Sequence, residues 1–257
     1  MTTDSPLNPP GPDRILLAGD WDANIHRACS VVQYAGLRAI STVVQLGDFG
    51  YETPGGWSTR FLEAVEAACA QHCVTVLFID GNHEYFPGLN ALPIDPDTGL
   101  RGIRPHIHHL PRGLRWTWHD TTWMALGGAH SVDRFARKEG VSWWPEEHLT
   151  AADVARAIDP GPVDVIISHD APAGVLIPGL TSTGFPAAEI AAADRHRDLV
   201  AAVVDATSPA LVFHGHYHTR YSGLRGTTTI IGLADDSAPL NENSLVLNLT
   251  GDPPMRR

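Results

Sequence analysis

The sequence predicts an α/β protein whose strands run mostly parallel, and three observations carry that expectation. Short apolar runs such as Ile15-Leu16-Leu17-Ala18, Val43-Val44-Gln45-Leu46 and Leu211-Val212-Phe213 read as strands buried on both faces. Stretches of helical pattern separate the first three strands, the order expected of right-handed βαβ crossovers. A polar cluster follows five of the runs, so the chemistry-bearing residues sit where strands end, as ligand-binding residues of open α/β sheets do.

In chain order, residues 1–13 carry Pro6, Pro9, Pro10 and Pro12 and read as a flexible leader, so order is expected from Arg14. One domain is expected over 14–250, followed by a tail over 251–257. It opens with a strand at 15–19, a helix near 24–36, a strand at 43–47, a helix near 58–72 and a strand at 74–80. Residues 86–120, with Pro87, Pro93, Pro96, Pro105 and Pro111, break this rhythm. They read as an irregular excursion near the site, with short strands at 103–109 and 113–119 rather than a helical unit. A strand at 122–126, a loop through 131–138, a helix near 150–158 and a strand at 163–167 follow. A Pro/Gly-rich loop over 171–186, an Ala-rich helix near 187–204 and strands at 211–214, 227–232 and 244–249 complete the chain.

The five clusters are Gly19-Asp20-Trp21-Asp22, Gly47-Asp48, Gly81-Asn82-His83-Glu84, Ser168-His169-Asp170 and Gly215-His216-Tyr217-His218. Singly, each has an ordinary explanation, because Gly-Asp and Gly-Asn are common turn pairs and a histidine after a strand is often just packed and hydrogen-bonded. Together they gather carboxylates, an amide and imidazoles on one rim, and buried polar groups cost free energy without partners. Their order resembles the calcineurin-like metallophosphoesterases, whose motifs run Asp-x-His, Gly-Asp, Gly-Asn-His-Asp/Glu, a lone His and Gly-His-x-His. The resemblance spans about residues 14–250 and has one departure, Asp22 in place of the His of the first motif. Gly127-Gly128-Ala129-His130-Ser131-Val132-Asp133-Arg134 and Ser142-Trp143-Trp144-Pro145-Glu146-Glu147 resemble a bacterial and phage-type branch of that family.

The resemblance implies a four-layer α/β/β/α sandwich of two mixed β-sheets flanked by helices. It implies a binuclear metal-dependent phosphoesterase, a phosphatase or phosphodiesterase in which a metal-bound hydroxide attacks a phosphomonoester or phosphodiester. By the same implication the first ion takes Asp20, Asp48, His218 and whatever Asp22 offers, directly or through water. The second takes Asp48, Asn82, His169 and His216, with Asp48 bridging. Mixed oxygen and imidazole donors favour Mn²⁺, with Fe or Zn²⁺ as alternatives, over Ca²⁺. His83 matches the position that gives a proton to the leaving group or steadies the phosphate, work suited to an imidazole.

From the residues alone, His216 and His218 in an extended segment would project to the same side. Arg134, Arg137 and Lys138 offer either charge-assisted hydrogen bonds to a substrate phosphate or surface ion pairs. Trp143 and Trp144 read as packing anchors, and His106, His108 and His109 as hydrogen-bonded loop residues rather than a further metal site. Cys69 and Cys73 read as a packed helix face rather than a metal pair. A rival reading is a metal-binding scaffold or sensor, catalytically weakened by Asp22; His83, which a scaffold has no use for, argues against it.

The formal charge of −11 argues against long nucleic acid and anionic membranes as partners, because those need a field of Lys and Arg, and leaves a small phosphorylated substrate. No apolar run approaches the roughly 20 residues of a membrane span, and residues 1–13 have no secretory pattern. Three cysteines without a paired framework suit reduced thiols. A cytoplasmic protein is the expectation.

Overall fold

A computed structural model describes residues 5–181 and 183–250. In strand β1 (Arg14–Ala18), side chains alternate across the sheet: Ile15 and Leu17 enter one core cluster, Leu16 and Ala18 another, and all four are buried. A strand with two apolar faces needs a covering layer on each side. The same split holds in β2 (Thr42–Gln45), where Val43 and Val44 part, and in β3 (Thr75–Phe78), where Leu77 parts from Val76 and Phe78. It recurs in β8 (Val165–Ser168) and β9 (Leu211–His214), whose Val165, Ile167, Leu211 and Phe213 meet Leu17 and Val44 in the central cluster. Ile166 and Val212 face the outer one.

The outer layers are helices. Helix α1 (Ile25–Leu37) and helix α2 (Gly56–His72) cover the first sheet with Val31, Val32, Phe61 and Val65. Helix α4 (Ala151–Ile158) and helix α5 (Ala187–Thr207) cover the second with Ala157, Val200, Val203 and Val204. The result is a four-layer α/β/β/α sandwich. The Asn24 side chain caps α1 by accepting from Arg27 N at 3.1 Å, and Thr150 with Asp153 forms a capping box on α4.

The remaining strands are β4 (Arg101–Arg104), β5 (Ile107–His109), β6 (Arg115–Trp118), β7 (Thr121–Leu126), β10 (Tyr221–Arg225), β11 (Thr228–Gly232) and β12 (Ser244–Asn248). Two short helices, α3 (Phe86–Ala91) and α6 (Leu240–Asn243), complete the elements. Each sheet has six strands, in the orders β12-β1-β2-β3-β5-β4 and β10-β11-β9-β8-β7-β6. In both, the four inner strands are parallel and each edge strand is antiparallel. The carboxyl ends of β1, β2, β3, β8, β9 and β11 therefore deliver their following loops to the rims of two facing sheets.

The structure departs from the sequence reading at three places. Residues 5–13 are packed rather than loose: Leu7 is buried in the central core, Pro10 O accepts from His119 N at 2.8 Å, and Gly11 lies so close to Trp118 that a Cβ would overlap the indole. Prolines exclude regular structure without excluding packing. Residues 1–4 and the expected tail over 251–257 lie outside the described residues. The excursion holds α3, because Pro87 occupies the first helical turn, where a missing N–H costs nothing. Edge strand β10 carries Ser222 and Gly223 and lacks a β signature, yet it pairs along its whole length with β11. No helix among the described residues is long and apolar enough to cross a membrane.

Candidate metal centre

Asp20, Asp48, Asn82, His169, His216 and His218 come together from the ends of β1, β2, β3, β8 and β9. The approach is close enough to demand glycine beside it. A Cβ at Gly47, which sits at φ +94°, would overlap the His169 ring, and one at Gly215 would overlap the Asp20 carboxylate. Asp22, Asp48, His216 and His218 all adopt left-handed backbone, with φ of 47°, 52°, 68° and 53°. Such conformations cost of order 1–3 kcal/mol each and cluster at functional sites. They also correct the expectation of an extended His216–His218 segment. His216 turns inward, its ring centroid 5.0 Å from that of His169, whereas His218 is half exposed with Nε2 3.3 Å from Asp20 Oδ2.

Asp48 lies at the middle. Its Oδ1 accepts from Asn82 N and His83 N, both at 2.9 Å, and its Oδ2 faces His169 Nε2 at 3.4 Å. His169 Nδ1 donates to Leu46 O at 2.7 Å, so a neutral ring aims the Nε2 lone pair at Asp48 Oδ2 and at Asn82 Oδ1, 3.0 Å away. Ligand atoms of Asp48, His169 and His216 all lie within 4.8 Å of one another.

Electrostatics tests whether a cation fits. Burial would raise the Asp48 carboxyl, yet the neighbouring His169 and His83 hold it well below the usual range. Burial would lower His169, yet the charge and hydrogen bond of Asp48, then Asp20, raise it well above the ordinary histidine value. The hydrogen bond to Asp20 lifts His218 to about 9. Burial keeps Asp20 raised, and burial together with the charge of His169 presses His216 down to about 3. The shifts of His169 and His218 both reflect oxygens that favour positive charge there, and a bound cation would supply that charge in place of protons.

Asp22 rims this cluster. The surrounding protein, then the charges of Asp48 and Asp20, push its carboxyl up to about 8, although its side chain is exposed and water screens part of the repulsion. His83 lies outside the ligand group, its Nε2 4.0 Å from Asp48 Oδ2 and 3.0 Å from Arg137 Nη2. A guanidinium has no lone pair, so His83 Nε2 accepts from Arg137 and the ring proton sits on Nδ1. Arg134 is held elsewhere: its guanidinium lies 4.2 Å over the Trp143 ring and 3.8 Å from Glu189 Oε1, a cation–π and ion-pair geometry that keeps it from His83.

Glu84 does not orient His83. Its buried carboxylate accepts from Phe49 N at 2.7 Å and Gly81 N at 2.6 Å, tying the loops after β2 and β3 together. Trp143 and Trp144 are buried anchors, His109 binds Asp80 at 3.0 Å, and Cys69 is buried while Cys73 is exposed.

Sequence reasoning missed several supporting groups. Asp235 Oδ2 lies 3.3 Å from His218 Nδ1, and Asp236 Oδ2 accepts from Asn24 Nδ2 at 2.6 Å. The acidic pair Asp235-Asp236 closes off β11, so position after a strand is the signal that marks it. Glu147 accepts from Ser131 N at 2.9 Å and from Ser131 Oγ at 2.6 Å, and Ser131 Oγ accepts from Asn82 Nδ2 at 2.9 Å. This relay fixes the amide so that Asn82 Oδ1 faces His169. His130, Glu147 and His148 form a second group of convergent donors. There the His130 and His148 rings lie within 6° of parallel and meet edge to edge, Nδ1 to Nε2 at 2.6 Å, the arrangement of an N–H···N hydrogen bond.

The buried shell sets the response to acid. Burial presses His214 down to about 4, whereas an unfolded histidine keeps its ordinary value near 6.5. The unfolded chain thus binds a proton that the fold refuses, and stability is lost as pH falls from about 6.5 to about 4. Against the upward push of burial, Arg112 and His109 hold Asp80 below the model-peptide range, and His196 does so for Asp170, so further stability is lost below about 3.8. Urea melts of chelator-treated protein are expected to show a fall of up to about 1.4 kcal/mol per pH unit for His214 alone. Because the raised Asp22 carboxyl titrates in the opposite sense in metal-free protein, the check is the stability difference between wild type and His214→Asn, and a difference that stays flat from pH 7 to 4 would contradict this account.

The calcineurin-like phosphoesterase profile matches residues 13–220, which contains every one of these donors. The chain belongs to the calcineurin-like phosphoesterase family. Its fold is shared with the protein TT1561 of Thermus thermophilus, at TM-score 0.55 and 11% identity over 88% of this chain and 91% of that one. A dimetal phosphatase from Danio rerio aligns at TM-score 0.48 and 15% identity over 88% of both chains. The phosphopantetheinyl hydrolase of Mycobacterium tuberculosis aligns at TM-score 0.47 and 13% identity over 95% of this chain and 99% of that one. No curated protein matches the chain. In this calcineurin-like phosphoesterase Asp22 is an expected ligand whose ionised form the surrounding protein and the charges of Asp48 and Asp20 oppose.

Proposed function

We propose that this chain hydrolyses a small phosphomonoester or phosphodiester with two divalent transition-metal ions, Mn²⁺ before Fe or Zn²⁺. The observation that carries the reading is the convergence of Asp48, His169 and His216, whose ligand atoms lie within 4.8 Å of one another, with Asn82 Oδ1 3.0 Å from His169 Nε2. Asp20, Asp22, Asp48 and His218 would hold the first ion; Asp48, Asn82, His169 and His216 the second. When bound, such a pair of ions acidifies an attacking water and neutralises the phosphoryl oxygens. The chain does the rest. Arg137 turns from His83 to the phosphate oxygens, which accept from its fork of N–H groups. That frees the His83 Nε2 lone pair to take up a proton from solvent, and the imidazolium then faces the leaving oxygen and delivers that proton to it. The Glu147–Ser131 relay keeps Asn82 Oδ1 aimed inward throughout.

The test is elemental analysis after Mn²⁺ reconstitution, coupled to a panel of phosphomonoesters, linear phosphodiesters and cyclic nucleotides. Two ions per chain with turnover on any ester supports the reading, and two ions with no turnover would leave the scaffold. A folded protein that takes up no metal would defeat both.

Asp22 has its own expected signature. A carboxyl raised to about 8 weakens the metal-free fold as pH climbs above its unfolded value near 3.8. Metal-free Asp22→Asn is therefore expected to melt higher than wild type at pH 8, by less than about 3 °C after solvent screening, with the gap closing towards pH 4. Asp22→His, by removing a negative charge beside the ions, is expected to raise turnover near neutral pH and move the optimum downward. Slower turnover at equal metal occupancy, with an unchanged pH profile, would make Asp22 a working adaptation.

A further inference from the structure

The ligand cluster separates two cavities of opposite character. Asp22, Asp48, His83 and Arg137 face a polar one of about 310 Å³, together with Glu52 and Ser142. His216 and His218 face a larger one of about 660 Å³, whose walls include Val132, Ile177, Leu180, Phe185, Ile190 and Tyr217. Besides the two histidines, its ionisable acidic and basic side chains among the described residues are Asp194 and Arg197, and Arg197 donates to Pro172 O at 3.3 Å and Val175 O at 3.1 Å. Leu180 and Phe185 are 54% and 38% exposed, and Leu176, on the same loop, is 87% exposed. Large apolar side chains gathered in water on one loop beside a site mark a binding surface.

We propose that this second cavity receives an apolar substituent carried on phosphorus, so that the preferred substrate is a phosphodiester with an alkyl or aryl group on its retained oxygen. The inference rests on the phosphoesterase reading and narrows it. The proton donor His83 belongs to the polar cavity, so the departing alcohol leaves there: water forms the new P–O bond, the P–O bond to the leaving alcohol breaks, and the His83 proton ends on that alcohol. The other ester oxygen keeps its bond to phosphorus, and its substituent projects past His216 and His218 into the apolar walls. A monoester has no such substituent and leaves the cavity filled with water.

The test holds the leaving group constant and varies the retained one. Methyl, butyl and octyl 4-nitrophenyl phosphodiesters are compared with 4-nitrophenyl phosphate on Mn²⁺-loaded protein. From methyl to octyl, kcat/KM is expected to rise at least about tenfold, since each buried methylene is worth several-fold. The double variant Leu180→Ser/Phe185→Ser, with its fold checked by thermal melting, is expected to flatten that rise. Calorimetric titration of methylphosphonate and octylphosphonate provides a readout without turnover. Tighter octylphosphonate binding in a protein that cleaves no ester supports the cavity assignment and removes the hydrolase reading. A chain-length profile that is flat in both turnover and binding, or a preference for the monoester over the octyl diester, overturns the inference.

Discussion

Asp48→Asn is expected to abolish metal loading and turnover together. One oxygen of Asp48 is already committed to the amides of Asn82 and His83, which leaves the other as the atom facing His169. In the variant an amide oxygen can satisfy those backbone donors only by turning its NH₂ towards His169, placing hydrogens where lone pairs converge. Loss of metal affinity should exceed the roughly 10–100-fold typical of an outer partner of a metal ligand. Elemental analysis and the melting-temperature rise on adding Mn²⁺ measure it. Retention of two ions per chain would show that Asp48 does not bridge them.

His83→Ala is expected to separate chemistry from binding. Its ring contacts Arg137 and lies 4.0 Å from Asp48 without entering the ligand group, so metal content should stay at the wild-type level. Loss of a positioned proton donor should cut turnover by about 10²–10⁴-fold on an ester with an alkyl leaving group. The loss should be much smaller on a 4-nitrophenyl ester, whose leaving oxygen departs without a proton. Equal losses on both esters, or a fall in metal content, would assign His83 to structure or ligation instead.

The outline of this protein was legible because its strands are short, apolar and followed at once by polar residues. Residues 15–18 and 211–213 read as doubly buried strands, and Asp20, His216 and His218 lie within five residues after them. What escaped was whatever depends on a distant partner. Edge strand β10 has no pattern of its own and exists because β11 pairs with it. The stretch at 5–13 is proline-rich and formless in sequence, yet Trp118 and His119 hold it. Glu147 carries no role of its own in the sequence reading, and only its contact with Ser131 makes it a support for Asn82.

By itself the sequence determined the α/β class, the order of the strands that carry an apolar pattern and the residue types available to a metal centre, because periodicity and strand-end position are local properties. It also placed Asp22 where the resemblance implies a His. Only the tertiary structure decided which donors meet, since Asp20 and His218 are nearly two hundred residues apart and touch because two sheets present their carboxyl ends to each other. It decided, too, that Arg137 rather than Arg134 reaches His83, and that His216 and His218 turn to different neighbours. Those choices follow from left-handed backbone and from competition among partners, which no residue carries in its own identity.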